Sequence, residues 1–539
     1  MIKGSFVEKL DRIIIDFAIY YFYLSDVSVL EYNSGSKARL DKIFCESRYG
    51  KGDKMKKRFV FLLPVTWLVY IGVYLIDKRL IAVPYAVSII VSLVILIVNA
   101  FIIFKVRSGK GLKIPMSILS VFAVLIYNMA GIICNPYWNS ITGYTDRPYA
   151  DSYENTVTSK EAIEDLDYMM KYLKKDHPAL LNGIPSEVEE RYRSVRAELE
   201  GIDMITVNEL CRKTEYVLAC LHDGHTYTFP KYDFHYLKDS YSDELAGYKT
   251  VSVNGLTIDE IAEQSKDLIS YEAESWELFR IRSLYFTLEG LDYLGFDNTE
   301  VTYVFEKDGD KITKTYTQED YALIDDIEVK TDDTATESFV SYEIDEENSL
   351  AIMTLTACKA NEEYNKAVRD MFTEAKEKNI KHVAVDIRGN GGGNDAVIGE
   401  FFRYLDIDEY KTCGLEWRLG FFTVPYPPRY EKNEKVNDLL FKGDFYPLTS
   451  SGTFSSGMLY AQYVKDNHIG TIIGEAPGND PNGYGEVVFF SLPNSKIFMS
   501  VSTKHFVRAD SNAGTYLVEP DISCESTEAK ERLYEIIGV

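Results

Sequence analysis

The sequence predicts a helical membrane anchor followed by an α/β domain held outside the membrane. Three observations carry this prediction. Three long apolar runs follow one another early in the chain, strands alternate with helices late in it, and the charge divides between the two parts. Of the 539 residues, 1–135 hold 18 Lys and Arg against 9 Asp and Glu, which leaves 40 against 74 for the remainder. So sharp a split points to two surroundings. The acidic part lacks the basic face that nucleic acid requires, which excludes that partner. Seven cysteines, scattered and odd in number, offer neither a disulfide framework nor a metal-ligand spacing.

The apolar runs are 59–76, 80–104 and 114–134, and each reaches or approaches the ~20 residues that cross ~30 Å of hydrocarbon. Basic flanks set their orientation. "KGDKMKKR" (51–58) and "KVRSGKGLK" (105–113) are the richer loops, and both belong on the cytoplasmic side. This makes 51–135 a three-helix membrane region with a cytoplasmic segment, 1–50, before it. "RIIIDFAIYYFYL" within that segment is apolar but interrupted by Asp16, and reads as an interfacial or buried helix. Everything after the third span is placed outside, beginning with a linker over 136–157.

A helical segment is expected over 158–228. Its first helix opens on a capping box, Thr158 with Glu161, and is striped by Ile163, Leu166, Met170 and Leu173. The second is capped by Ser186 with Glu189, and the third carries Leu210, Val217 and Leu221. Residues 229–335 read as a small α+β module, with a strand, an Asn254-Gly255 turn and a helix, then a hairpin across Asp308-Gly309. From 336 to 525 strands and helices alternate: "SLAIMTLTAC", "EEYNKAVRDMFTEAKEK", the buried strand "HVAVDI", and "AVIGEFFRYL". That order argues for an α/β core. Residues 526–539 form a tail.

Three places in this outer region carry chemistry. "CLHDGHTYTF" holds His222 and His225, and no carboxylate or cysteine set in the sequence completes a metal site with them. His225, at an element boundary, is either a plain turn histidine or a base that titrates near neutral pH. Gly391, Gly392 and Gly393 follow a buried strand and precede a helix. Three successive glycines are costly in entropy, and their spacing is not that of a phosphate loop. Backbone N–H groups aimed at an oxyanion are the alternative target. "SSGTFSSGMLYA" crowds Thr453, Ser455 and Ser456 into the lead of a helix, as caps or with one of them a nucleophile.

Taken together, "VAVDIRGNGGGN", "GTFSSGMLYA", "IIGEAPGNDPNGYGEVVFFSLPNSKIFMSVS" and "LVEPDI", with "KKDHPALL" and "LHDGHT" upstream, resemble the C-terminal-processing (tail-specific) serine peptidase family. The resemblance implies a ClpP/crotonase-like spiral of β-strands and helices, with the 229–335 module as a degenerate PDZ-like unit. It implies Ser455 as nucleophile, with an oxyanion hole from the Ser456 N–H and Gly391 or Gly392. Tyr484 stands where many members carry a lysine base. The chain therefore resembles the tricorn-core-like branch, in which a histidine is the base, and His225 fits that role. The acid that would orient it has no clear match, with Asp510 and Glu519 the nearest. The function implied is a membrane-anchored serine endopeptidase acting on extracytoplasmic peptides or proteins without metal or cofactor. The alternative is an inactive peptide- or lipid-binding or sensor protein on the same fold.

Overall fold

The computed structural model describes residues 153–229, 233–327 and 338–538, with scattered positions between 96 and 141. The chain divides into two compact units, one of residues 1–72 and 85–126, the other of 73–84 and 127–539. The expected cytoplasmic segment 1–50 and the first span lie outside the described residues. So do most of the second and third spans and most of the 136–157 linker. Among the described residues, no helix is long and apolar enough to cross a membrane. In the first unit, described helical positions between 114 and 125 include exposed Ile114, Ile118, Leu119, Phe122 and Leu125.

The second unit is built on a six-stranded sheet. Its order is Val340–Asp345, Leu350–Leu355, His382–Asp386, Asp444–Thr449, Ile473–Gly474 and Ile522–Ser523. Only the first pair is antiparallel; the rest run parallel. Parallel strands are covered on both faces and so read as unbroken apolar runs. Val383, Ala384 and Val385 meet that demand and are fully buried. Helices Glu362–Glu377 and Ala396–Phe402 seal one face, where Phe372 stacks on Tyr404 at 4.9 Å. Each such fully buried side chain contributes ~1.5–3 kcal/mol through apolar burial.

The parallel register places two chain exits side by side. Asp386 pairs with Leu448, so His382–Asp386 and Asp444–Thr449 end together. The first runs into Gly391–Gly393 and the second into Ser455 and helix Ser456–Asp466. Carboxyl ends of parallel strands are where α/β sheets bind ligands.

A second sheet runs Phe422–Tyr426, Gly414–Leu419, Phe498–Val507, Tyr484–Ser491. The short strand Tyr227–Phe229 joins it, with Tyr227 opposite Ser500. This pairing carries the end of the helical segment, and His225 with it, to the α/β core. That helical segment comprises Ser159–Asp176, Ser186–Glu200 and Val207–Ala219. Its Thr158–Glu161 capping box forms as read from the sequence. Ser186 differs: it is the first helical residue, Pro185 is the N-cap, and no side chain caps that end. Proline at this position has no N–H to satisfy and sets the chain for the turn that follows. Leu221 lies beyond the third helix, which ends at Ala219.

The α+β module has a four-stranded antiparallel sheet in the order Leu256–Thr257, Lys249–Val253, Glu300–Lys307, Asp310–Thr317. The last two strands form the hairpin across Asp308 and Gly309, both at positive φ. Helices Ile258–Ser265, Glu274–Leu284 and Leu288–Leu294 accompany it.

Candidate active site

The hydroxyls around residue 455 divide their duties. Thr453 Oγ1 donates to the Ile387 carbonyl at 2.8 Å and accepts the Ser450 N–H at 3.0 Å. Ser450 Oγ accepts from the N–H groups of Gly389 and Gly452. Ser456 Oγ donates to the Gly393 carbonyl at 2.9 Å. The bonds to Ile387, Gly389 and Gly393 tie the serine segment to the glycine loop. The Ser455 hydroxyl makes no such bond among the described residues. Its backbone sits at φ 55°, ψ −120°, a conformation costing on the order of 1–3 kcal/mol that persists only where surroundings impose it. Asn479 imposes it, since its Oδ1 accepts the Ser455 N–H at 2.8 Å.

The glycine loop fits against this turn. A Cβ on Gly392 would lie 2.6 Å from Ser455 Cβ and 2.9 Å from the Ser456 nitrogen, and Gly392 has φ +99°. Only glycine meets both conditions. The Gly392 N–H is engaged by Asn390 Oδ1 at 2.9 Å, and its carbonyl accepts from Cys358. Gly391 has open space around it, and its N–H has no internal acceptor among the described residues. Ser456, as the first helical residue, has no N–H partner within the helix, so the dipole end also faces this point.

Both loops are braced by the C-terminal segment. Glu475 accepts the N–H of Ser451 at 2.8 Å and that of Ser526 at 2.9 Å. Arg388, just before the glycines, donates to the Ser526 carbonyl at 2.6 Å and is paired with Asp386.

His225 stands across the Phe454 ring, centroids 4.6 Å apart, and Phe454 in turn stacks on Trp276 at 4.1 Å. Gly224 must be glycine here, because a Cβ would meet the Phe454 ring at 2.9 Å. The position of His225 is held through its backbone: Ser500 Oγ donates to its carbonyl at 2.7 Å, and its N–H donates to Asp223 Oδ1 at 2.9 Å. Both ring nitrogens are shielded from solvent and have no well-formed hydrogen bond among the described residues, with the Tyr484 backbone acting on the ring from longer range. Burial pushes the imidazole below its ordinary range, against the pull of the Asp223 charge. Ser455, Ser456, Gly391 and His225 line one cleft of about 510 Å³.

The acid nearest the ring is Asp223, with Oδ1 3.8 Å from His225 Nδ1. Asp223 is fully buried and its other oxygen accepts from His177 Nε2 at 3.0 Å. His177 Nδ1 accepts the Ala179 N–H, so the ring's proton sits on Nε2 and points at Asp223. These bonds outweigh the cost of burial and hold the Asp223 carboxyl at about 2. Asp510 and Glu519, the acids nearest in the motif, are elsewhere: Asp510 caps Asn512 and Glu519 is exposed.

A second acid arrives from the α+β module. Glu272 is 8% exposed, accepts the Asp480 N–H through Oε2, and has no partner for Oε1. Burial, then the charge of Asp223, raises its carboxyl well above the usual range. One donor atom each from Asp223, His225 and Glu272 lies within 4.8 Å of the other two. The sequence reading found no carboxylate set for a metal at His225, and the structure supplies one. Its second member is adjacent in "HDGH", but Glu272 is 47 residues away in a stretch without a motif. His222 is exposed, beside Tyr271, and takes no part. Tyr484 lines the cleft with its phenol raised by burial, so it keeps its proton near neutral pH.

Residues 349–524 match the model of peptidase family S41. The chain has an S41-family serine peptidase fold. The S41 match spans the strands that carry both the glycine loop and Ser455, and leaves the helical segment and the α+β module outside it. Among solved structures, a mutant of CPAF is similar at 11% identity with a TM-score of 0.51, over 70% of this chain and 95% of that one. The photosystem II D1 C-terminal processing protease is similar at 14% identity with a TM-score of 0.39, over 71% and 98%. The tricorn protease is similar at 13% identity with a TM-score of 0.32, over 70% of this chain and 37% of its own. At these identities the likeness to CPAF is one of fold. No curated protein sequence matches the chain.

Proposed function

We propose that this S41 peptidase is a membrane-anchored endopeptidase that uses Ser455 as nucleophile and His225 as general base. One observation carries the reading: among four hydroxyls packed at the glycine loop, the Ser455 hydroxyl is the one left unbonded, on a strained turn, in the same cleft as an unbonded imidazole. With Asp223 nearest Nδ1, His225 Nε2 is the nitrogen for the serine proton. Ser455 Oγ adds to the scissile carbonyl as Nε2 takes its proton. The oxyanion falls to the Gly391 and Ser456 N–H groups, with Gly392 as the glycine that lets the loop come close. The imidazolium gives its proton to the leaving amine, and water then hydrolyses the acyl-enzyme by the same route. Catalytic hydrogen bonds are commonly long in the free enzyme and tighten with substrate, which accommodates a Ser455 hydroxyl and a His225 ring not bonded to each other here.

Three apolar runs and their basic flanks support a multi-pass anchor with the N-terminus cytoplasmic and the catalytic domain outside. The exposed apolar side chains at 114–125 agree with a lipid-facing third span. The substrate would then be an extracytoplasmic peptide or protein.

The unbonded His225 ring and the absence of a lysine at Tyr484 also favour a second reading, an inactive binding or sensor protein. A fluorophosphonate probe separates the two. Labelling that maps to Ser455 supports the peptidase; an unlabelled, folded chain supports the binder.

A further inference from the structure

We propose that Asp223, His225 and Glu272 form a zinc site that inhibits the enzyme. Binding needs only these residues; inhibition rests on the reading of His225 as base. The cluster holds donors of the kinds zinc takes, an imidazole nitrogen and two carboxylates. Zinc–ligand distances of ~2.0–2.2 Å in tetrahedral geometry put donor atoms about 3.4 Å apart. The His225 Nδ1 to Asp223 Oδ1 distance is 3.8 Å, and all three donors fall within 4.8 Å, so the site closes with shifts of about an ångström.

Two further observations point to a ligand. Among the described residues, Glu272 Oε1 and both His225 nitrogens are buried without a well-formed hydrogen bond, with only the Gly224 and Tyr484 backbones acting on the two side chains from longer range, which is costly unless something satisfies them. Carboxyls are also crowded here. Asp223 and Asp480 both act on Glu272, and among the described residues none of the three forms a close ion pair with Lys or Arg, although His505 and Arg508 attract Asp480 from further off. A cation would satisfy the unpartnered atoms and relieve the crowding. His225 and Asp480 line the cleft, which brings solvent to the edge of the cluster.

Zinc here removes the base. On Nε2 it takes the lone pair directly; on Nδ1 it leaves the ring proton on Nε2. Neither form can accept the Ser455 proton. A hard, octahedral cation such as Mg²⁺ prefers oxygen and water to this set.

The test is zinc titration of the full-length chain by equilibrium dialysis, with magnesium as control and without substrate. One equivalent of zinc is expected to bind and magnesium is not. Glu272→Gln keeps an oxygen for the Asp480 N–H and should weaken zinc by roughly tenfold or more, and His225→Ala should abolish binding. Fluorophosphonate labelling of Ser455 should slow with bound zinc and recover with a chelator. No saturable zinc binding, or binding unchanged in both variants, overturns the site. Binding with the expected losses in a chain that the probe never labels sustains the site and overturns its inhibitory role.

Discussion

His177 Nε2 donates to Asp223 Oδ2 at 3.0 Å, and neither residue has any exposed surface. This bond comes from "KKDHPALL", 46 residues before the aspartate, and fixes the carboxylate that lies against His225. Asp223→Asn turns an acceptor into an amide that cannot serve both neighbours. A hydrogen bond to a charged group contributes ~1.5–3 kcal/mol, and that loss is expected in urea unfolding. kcat should fall as well, because the imidazolium loses its counter-charge.

Ser455 and Ser456 should separate cleanly. Ser455→Ala removes the nucleophile and should lower kcat by several powers of ten while peptide binding survives. Ser456→Ala leaves the backbone N–H in place and removes one hydrogen bond to Gly393, about 1 kcal/mol, so activity should fall tenfold or less. Mass-spectrometric cleavage mapping with both variants decides between them.

The pH profile follows from the burial of His225. A base must be neutral, and this one is pushed below its ordinary value near 6.5. kcat/KM should therefore rise with pH along a limb whose midpoint lies below 6.5, and lie flat above it until another group titrates. A midpoint near 10 would implicate a lysine or Tyr484 and refute the assignment.

Gly392→Ala places a methyl group 2.6 Å from Ser455 Cβ at φ +99°. The left-handed backbone alone costs ~1–2 kcal/mol, and the contact must also be relieved by moving the serine. Activity should be lost with only a modest fall in Tm. Gly391→Ala, with nothing within 4 Å, should be far milder, and the two compared by kcat and thermal melting test which glycine is packed.

In intact cells, protease added outside should digest the region after residue 149 and spare the first fifty residues. Protection of the C-terminal domain would reverse the topology.

The peptidase core was legible because parallel strands need unbroken apolar runs and because the glycine and serine motifs follow two of them. Ser455, Ser456 and the glycines were singled out for that reason, and His225 through its motif. Asp223 was in view within the same motif, yet its partner His177 is joined to it only by folding. Glu272 left no local sign, since its role depends on where the α+β module sets one carboxylate against the cleft. The Ser186 cap was misread because a Ser-x-x-Glu pattern does not register a proline immediately before it. Which of two adjacent glycines keeps a free N–H is a matter of loop geometry, set here by Asn390.

The brace from Glu475 to Ser526 has a consequence for the order of events during synthesis. The site's two loops are joined to a segment made some seventy residues after the nucleophile. Until residues 522–526 have emerged and paired with Ile473–Gly474, neither the Arg388 loop nor the Ser451 turn has its final anchor. Until that segment is in place the Ser455 turn and the glycine loop lack this tie, so on the proposed reading activity would appear only once residues 522–526 have been made and docked.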